Sequence, residues 1–135
     1  MEEARSTYVY KVLEAAWGIW ISITAVARHT DAEGAYRDLL KTTLDFAGTA
    51  AELPTEYQDA LRAGWARIAL DVLRATGRPI RVTIEDVTFV DTDFQIEGLA
   101  VAICRWAESV FDINAHEVDV AFDAAANCYR IAWRT

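Results

Sequence analysis

Apolar residues near the start of the chain follow a pattern that predicts one long helix over residues 2–28. Its central stretch, residues 12–27, contains a single charged side chain, Glu14, and its apolar side chains would cover every side of a helix. A helix without a polar face needs cover on most sides, from its own fold or from a partner. The sequence therefore predicts that this helix is either the centre of the fold or the seam of a homodimer. Gly18 indicates that another backbone or a Trp ring packs closely there, because glycine costs a helix interior about 1 kcal/mol.

Two further helices are predicted in the first half of the chain. One covers residues 30–47 and begins with the capping-box pattern Thr-Asp-Ala-Glu. The other covers residues 54–76, where Thr55 and Gln58 repeat the capping-box pattern. Four apolar residues at helical spacing predict its buried stripe: Leu61, Trp65, Ile68 and Val72.

After Gly77 the apolar positions recur at every second residue, which predicts strands instead of helices. The first strand begins at Ile80. Its apolar residues occupy even-numbered positions up to Ile84 and odd-numbered positions after Glu85 and Asp86, so the parity of the pattern flips there. A β-bulge explains this flip better than a hairpin turn does, because two-residue hairpins favour Gly or Asn.

The remainder of the chain predicts one more helix and a hairpin. The helix covers residues 93–111 and begins with a third capping-box pattern, at residues 92–95. Alternation over residues 118–122 and 129–133 predicts an antiparallel hairpin, and the strand–helix–strand connection before it is long enough for a right-handed parallel crossover. The predicted fold class is α+β: three N-terminal helices packed with a small mixed βαββ layer.

Length and composition favour a single domain over residues 1–135, divided into a helical part (1–77) and a βαββ part (78–135). A domain of this size buries roughly two-thirds of the surface of its unfolded chain, and the hydrophobic fraction is 53% with five Trp. No metal, cofactor or disulfide is therefore expected to hold the fold together. Cys104 and Cys128 lack the spacing of a zinc site, and we expect free thiols in a cytoplasmic protein.

The net charge of −8 shapes the expected partners. It argues against nucleic acid, whose phosphates bind clustered Lys and Arg, and it favours a basic protein partner. The uncharged run at residues 15–27 is 13 residues long, below the roughly 18 that a membrane-spanning helix needs. Because Glu2 and Glu3 precede it and Glu14 interrupts the apolar stretch, an export signal is not expected either.

Two acidic groups supply the candidate partner-binding residues. The first lies at a strand-to-helix junction, where carboxylates could hold a cation or dock a basic surface, although solvated acids at a helix end explain it as well. The second alternates along a strand that ends at Asp123, and together with Asp123 it could pair with Arg130 or face a partner. The candidates are Asp86, Asp91, Asp93 and Glu97 in the first group, and Glu117 and Asp119 in the second.

The remaining chemistry-bearing residues indicate self-association more than catalysis. Aromatic residues at helical spacing in the first helix are either core or a self-association face, for which the candidates are Tyr10, Trp17 and Trp20. His29 and His116 are isolated, whereas metal sites need three or four converging ligands. Because no phosphate loop, nucleophile elbow or zinc motif is present, no catalytic residue and no metal ligand is assigned.

The leading hypothesis is a non-enzymatic acidic interaction module, such as an immunity, antitoxin-like or adaptor protein. It would dock a basic partner and self-associate through its first helix. The alternative is a small-molecule-binding or enzymatic domain with an aromatic pocket between helices and sheet, lined by Trp65, Trp106, Tyr129 and Trp133. A structural subunit of a larger assembly is the third hypothesis.

Overall fold

A computed structural model describes residues 3–14, 17–29 and 43–134 of the chain. The fold is α+β, and its described part contains two helices and six strands. In chain order the elements are β1 (Glu3–Leu13), β2 (Gly18–His29), β3 (Thr43–Phe46), α1 (Thr55–Thr76), β4 (Ile80–Phe89), α2 (Glu97–Phe111), β5 (Val118–Asp123) and β6 (Cys128–Trp133). Short 3-10 turns at Gly48–Glu52 and Asp91–Asp93 precede the two helices.

The strands form two separate sheets. Four strands lie in the order β1-β2-β4-β3, with β3 parallel to β4 and the other pairs antiparallel. The predicted antiparallel hairpin is confirmed, since β5 pairs with β6 through a register that joins Val118 to Trp133 and Asp123 to Cys128. The predicted parallel crossover is wrong, because β4 and β5 belong to different sheets.

The predicted helix over residues 2–28 is wrong, because Glu3–Leu13 and Gly18–His29 are the antiparallel strands β1 and β2. The central strand β2 carries a period-two pattern inside its apolar run, with inner and outer side chains in alternation. Its inner residues Ile19, Ile21 and Ile23 are buried, whereas its outer residues Trp20, Ser22 and Thr24 are half-buried. Because these outer positions also lack charged side chains, this strand resembles in sequence a helix that is apolar all round, and only the pairing partners distinguish the two.

The predicted close approach at Gly18 is confirmed, although it occurs in a strand. A Cβ atom at Gly18 would lie 2.2 Å from the carbonyl oxygen of Val12 and 3.3 Å from a methyl group of Leu13. The predicted helix over residues 30–47 is wrong at its end, since Thr43–Phe46 is a strand, and residues 30–42 lie outside the described residues. The prediction of three N-terminal helices, and with it a helical part over residues 1–77, is therefore wrong.

The predicted β-bulge is confirmed within β4. Thr24 pairs with Asp86 and the next residue, Ala25, pairs with Ile84, which leaves Glu85 as the extra residue. The bulge explains the change of parity, because Val87 pairs with Ile23 while Ile84 pairs with Ala25, on the same buried face.

The helix over residues 54–76 is confirmed as α1, which ends where Gly77 adopts a left-handed conformation with φ of 71°. Its capping box does not form: the Gln58 amide donates to the carbonyl oxygens of Ala50 and Ala51 instead. The last helix, α2, begins at Glu97 and also lacks a side-chain cap. Its start is four residues later than predicted, because the preceding polar side chains bind other parts of the chain.

The helix that is covered on most sides is α2. Nine of its residues are buried: Gly98, Leu99, Val101, Ala102, Ile103, Cys104, Trp106, Ala107 and Glu108. Helix α1 approaches it so closely that a Cβ at Gly64 would lie 2.5 Å from the carbonyl oxygen of Ala100. Strand β2 covers another side, since Ile19 and Ile21 lie 3.1 Å from the Cβ position of Gly98. Neither described helix has the length and hydrophobicity to cross a membrane.

Candidate partner-binding surface

Three of the predicted acidic residues lie at the end of the molecule where β1 turns into β2. Asp91 and Asp93 belong to the 3-10 turn that follows β4, and Glu97 is the first residue of α2. An Asp93 carboxylate oxygen accepts a hydrogen bond from the Gly18 backbone N–H at 3.1 Å, which fixes this turn beside the start of β2. Glu14, which follows β1, lies at the same end. We call Glu14, Asp91, Asp93 and Glu97 the acidic end.

Tyr129 of β6 joins the acidic end to the C-terminal hairpin. Its hydroxyl donates to the carbonyl oxygen of Trp17 at 2.6 Å and accepts from the Glu14 backbone N–H at 3.1 Å. Its backbone is held by Gln95, which accepts from the Tyr129 N–H at 2.8 Å and donates to the Tyr129 carbonyl oxygen at 2.6 Å. Sequence reasoning assigned Gln95 to a helix cap and missed this contact, because nothing local in the sequence indicates a partner 34 residues away.

Charge at the acidic end is largely unbalanced. In the described part of the chain, the carboxylates of Glu14, Asp91 and Glu97 form no ion pair. Two large apolar side chains near them are exposed, Leu13 at 78% and Val90 at 46%. Leu13 pairs with Gly18, so it flanks the same glycine that Asp93 binds. The acidic end therefore combines unpaired carboxylates with accessible apolar surface.

Asp86 does not join the other three residues of its predicted group. It lies on β4 opposite Thr24, where one carboxylate oxygen accepts from the Thr49 hydroxyl at 2.7 Å and the other from the Thr88 hydroxyl at 2.8 Å. The predicted group is thus divided between the sheet and the acidic end. Among the described residues, no cluster of His, Cys, Asp or Glu could hold a metal ion.

The second predicted acidic group pairs with arginines of its own hairpin. Arg134 contacts Asp119 at 2.9 Å and Glu117 at 3.2 Å. Arg130 binds Asp123 at 2.8 Å, which is the predicted cross-strand pair, and this hydrogen bond holds the pKa of Asp123 below its usual value. These internal pairs leave the hairpin with less unbalanced charge than the acidic end.

The predicted self-association residues are separated by the strand structure. Tyr10 is buried in β1, and burial raises the pKa of its hydroxyl. Trp17 packs edge-on against Tyr129 and Phe122, with ring centroids 5.2 and 6.0 Å apart. Trp20 lies on the outer face of the sheet opposite Lys11. The three side chains do not form one helix face.

A buried ionic cluster that sequence reasoning missed links both helices to the segment before β5. Glu108 of α2 accepts hydrogen bonds from Arg105 at 2.8 Å and from both the backbone N–H and the ring Nδ1 of His116, at 2.7 and 3.0 Å. The other ring nitrogen of His116 lies 2.9 Å from a carboxylate oxygen of Asp71 in α1. The spacing of Arg105 and Glu108 by three residues is a sequence signal for the first pair. The cluster fastens α2 to α1 and to the segment before β5.

The aromatic residues proposed for a ligand pocket mostly fill the core. Trp65, Trp106 and Tyr129 are buried, and the Trp106 indole donates to the Ser6 carbonyl oxygen at 3.0 Å. Trp133 is half-buried under the guanidinium of Arg67, 4.4 Å from its ring centroid. Cys104 is also buried, whereas Cys128 is half-buried; both are free thiols.

Comparisons with known proteins inform the fold. No protein-family model matches the chain, and no curated protein sequence matches it. Solved structures do match, in 24 chains. One is the crystal structure of a protein from Thermus thermophilus, with a TM-score of 0.53 and 12% identity over 76% of this chain. The match spans 14% of the length of that protein. At this identity the similarity establishes a shared fold and carries no functional assignment.

Proposed function

We propose that this chain is a non-enzymatic interaction module that docks a basic protein partner at the acidic end. The observation that carries the proposal is that Glu14, Asp91 and Glu97, which have no ion-pair partner among the described residues, lie at the end of the molecule where the side chains of Leu13 and Val90 are exposed. Protein interfaces combine an apolar centre with a polar rim, and complementary charge accelerates association and selects partners. A net charge of −8 adds a long-range attraction for a basic surface.

The proposal differs from the sequence-based hypothesis in what it omits. Self-association through a first helix is not part of it, because residues 3–13 and 18–29 are strands. An aromatic ligand pocket is not part of it either, because three of the four proposed lining residues fill the core. A cytoplasmic location remains part of the proposal and is supported by two free thiols.

A peptide-selection experiment tests the proposal even though the natural partner is unidentified. The full chain is used to select from a random library of short displayed peptides, and the selected sequences are synthesised for affinity measurements. We expect enrichment of Lys and Arg together with apolar residues, and an affinity that falls as ionic strength rises, because exposed charges are screened by salt.

Two matched double variants localise the binding. Asp91→Lys with Glu97→Lys reverses two charges at the acidic end, and we expect it to weaken peptide binding by roughly tenfold or more. Glu52→Lys with Glu56→Lys makes the same change in net charge near the start of α1, and we expect a much smaller effect. Equal losses in both variants, or peptides without basic residues, would contradict docking at the acidic end.

A further inference from the structure

The outer edge of β6 has backbone groups directed away from its partner strand. In an antiparallel pair, residues alternate between those that bond across the ladder and those whose N–H and C=O point outward. Arg134 donates its N–H to the Glu117 carbonyl oxygen at 2.9 Å, so Arg134 and Glu117 form a hydrogen-bonded pair. Such pairs recur at every second residue along β6. The N–H and C=O of Tyr129 and Ile131 consequently point away from β5.

Gln95 already acts on this edge as a neighbouring strand would. Its amide oxygen accepts from the Tyr129 N–H, and its amide nitrogen donates to the Tyr129 carbonyl oxygen, at 2.8 and 2.6 Å. An adjacent β-strand satisfies an edge residue with the same pair of bonds. No corresponding partner exists among the described residues for the N–H and C=O of Ile131, which is the next outward-facing residue along β6.

Open space accompanies these free groups. A cleft of about 390 Å³ runs beside β6, lined by Gln95, Glu97 and residues 128–132. The charged side chains in its wall are Glu97, which has no ion-pair partner in the described chain, and Arg130, which is bound to Asp123. The unbalanced charge in the cleft is therefore negative, and it comes from a residue of the acidic end.

We propose that the basic partner binds this cleft as an extended segment that adds a third strand to β6. Its backbone pairs with the N–H and C=O of Ile131, and a Lys or Arg of the segment lies against Glu97. Strand addition supplies affinity through main-chain hydrogen bonds, while side-chain contacts supply specificity. The inference rests on the function proposed above and specifies how the basic partner is recognised.

Backbone methylation of the bound peptide provides the sharpest test. Each basic peptide selected on the full chain is resynthesised with a single N-methyl group at successive positions, which removes one N–H donor at a time. An added strand directs alternate residues towards β6, so we expect roughly tenfold weaker binding when the residue opposite Ile131 is methylated and little change at the positions directly beside it. A flat profile, or equal losses at adjacent positions, would overturn strand addition.

A pair of proline variants tests the protein side of the contact. Ile131→Pro removes the outward N–H of β6, and proline is compatible with the open edge of a sheet. Val120→Pro is the matched control, because Val120 pairs with Ile131 and its N–H faces the opposite edge of the hairpin. We expect weaker peptide binding in the first variant alone, with the fold of both variants checked by circular dichroism. If either variant unfolds, the methylation profile, measured on the unchanged protein, decides.

The outcomes separate this inference from the proposed function. If selection yields no basic peptides, both fail. Suppose instead that basic peptides bind in a salt-dependent manner and that the Lys variants at Asp91 and Glu97 weaken this binding. If N-methylation then has no position-specific effect, docking at the acidic end stands and strand addition is overturned.

Discussion

Arg5 and Glu85 form a two-bonded ion pair that spans the central strand of the larger sheet. The Arg5 Nε–Glu85 Oε1 and Arg5 Nη2–Glu85 Oε2 distances are 2.8 and 3.1 Å, although β1 and β4 are separated by β2. The register partner of Arg5 in β2 is Val26, which is fully buried. Glu85 is available because it is the bulge residue. The bulge residue therefore links β1 to β4 across β2.

The Arg5–Glu85 pair predicts a dependence of stability on pH. The hydrogen bond from Arg5 lowers the pKa of Glu85 below its ordinary value of 4.5. Because the folded-state pKa is depressed, the contribution to stability is present above the unfolded-state value and is lost as pH falls through the folded-state value. In Arg5→Gln we expect the Glu85 carboxyl to titrate at higher pH, as followed by NMR. Arg62→Gln, which breaks the distant pair with Asp59, should leave the Glu85 titration unchanged.

The close contact between the two helices predicts that any larger residue at position 64 destabilises the fold. A Cβ there would lie 2.5 and 2.6 Å from the O and Cα atoms of Ala100, which are backbone atoms that cannot rotate away. We expect Gly64→Ala to lower the free energy of unfolding by about 1–3 kcal/mol in chemical denaturation, despite the better helix propensity of alanine.

Gly98→Ala is the matched control for that substitution. Its Cβ would meet only side-chain methyl groups of Ile19 and Ile21, at 3.1 Å, which can shift more easily than backbone atoms. We expect a smaller loss than for Gly64→Ala. Equal losses in the two variants would contradict the distinction between backbone and side-chain neighbours.

The two cysteines should differ in reactivity. Burial raises the pKa of Cys104 to about 12, and its thiol donates to the Gly64 carbonyl oxygen at 3.1 Å. Because the thiolate is the reactive form, a disulfide reagent at mildly alkaline pH should modify Cys128 in the native protein and both cysteines after denaturation. Cys128→Ser should leave no fast-reacting thiol. Rapid modification of that variant would show that Cys104 is accessible.

Glu108 should be more important for stability than any exposed acid of the chain. Its side chain is 6% exposed and is bound by Arg105 and His116. Glu108→Ala leaves those donors without their acceptor, and we expect a loss of about 2–3 kcal/mol in the free energy of unfolding. Glu117→Ala removes a carboxylate that is 73% exposed, and we expect a change within about 0.5 kcal/mol.

Local patterns predicted the elements whose signals are contained in one stretch of chain. Helix α1 was predicted from a single apolar stripe and from the Gly77 stop, and β4 was predicted with its bulge from the flip of parity at Glu85. The acidic end was predicted in part, because Asp91, Asp93 and Glu97 are near one another in the sequence. Glu14 was not assigned to it, since the contact of its backbone with Tyr129 joins residues that are 115 positions apart.

Periodicity between neighbouring residues was sufficient to predict the α+β class, the last helix and the C-terminal hairpin. The strand conformation of β1 and β2 depends instead on contacts between distant parts of the chain. Their apolar residues satisfy a buried helix and a central strand equally well, and pairing of β2 with β4, more than 50 residues away, selects the strand. The same long-range packing made α2 the helix that is covered on most sides, because β1, β2 and α1 converge on it only after folding.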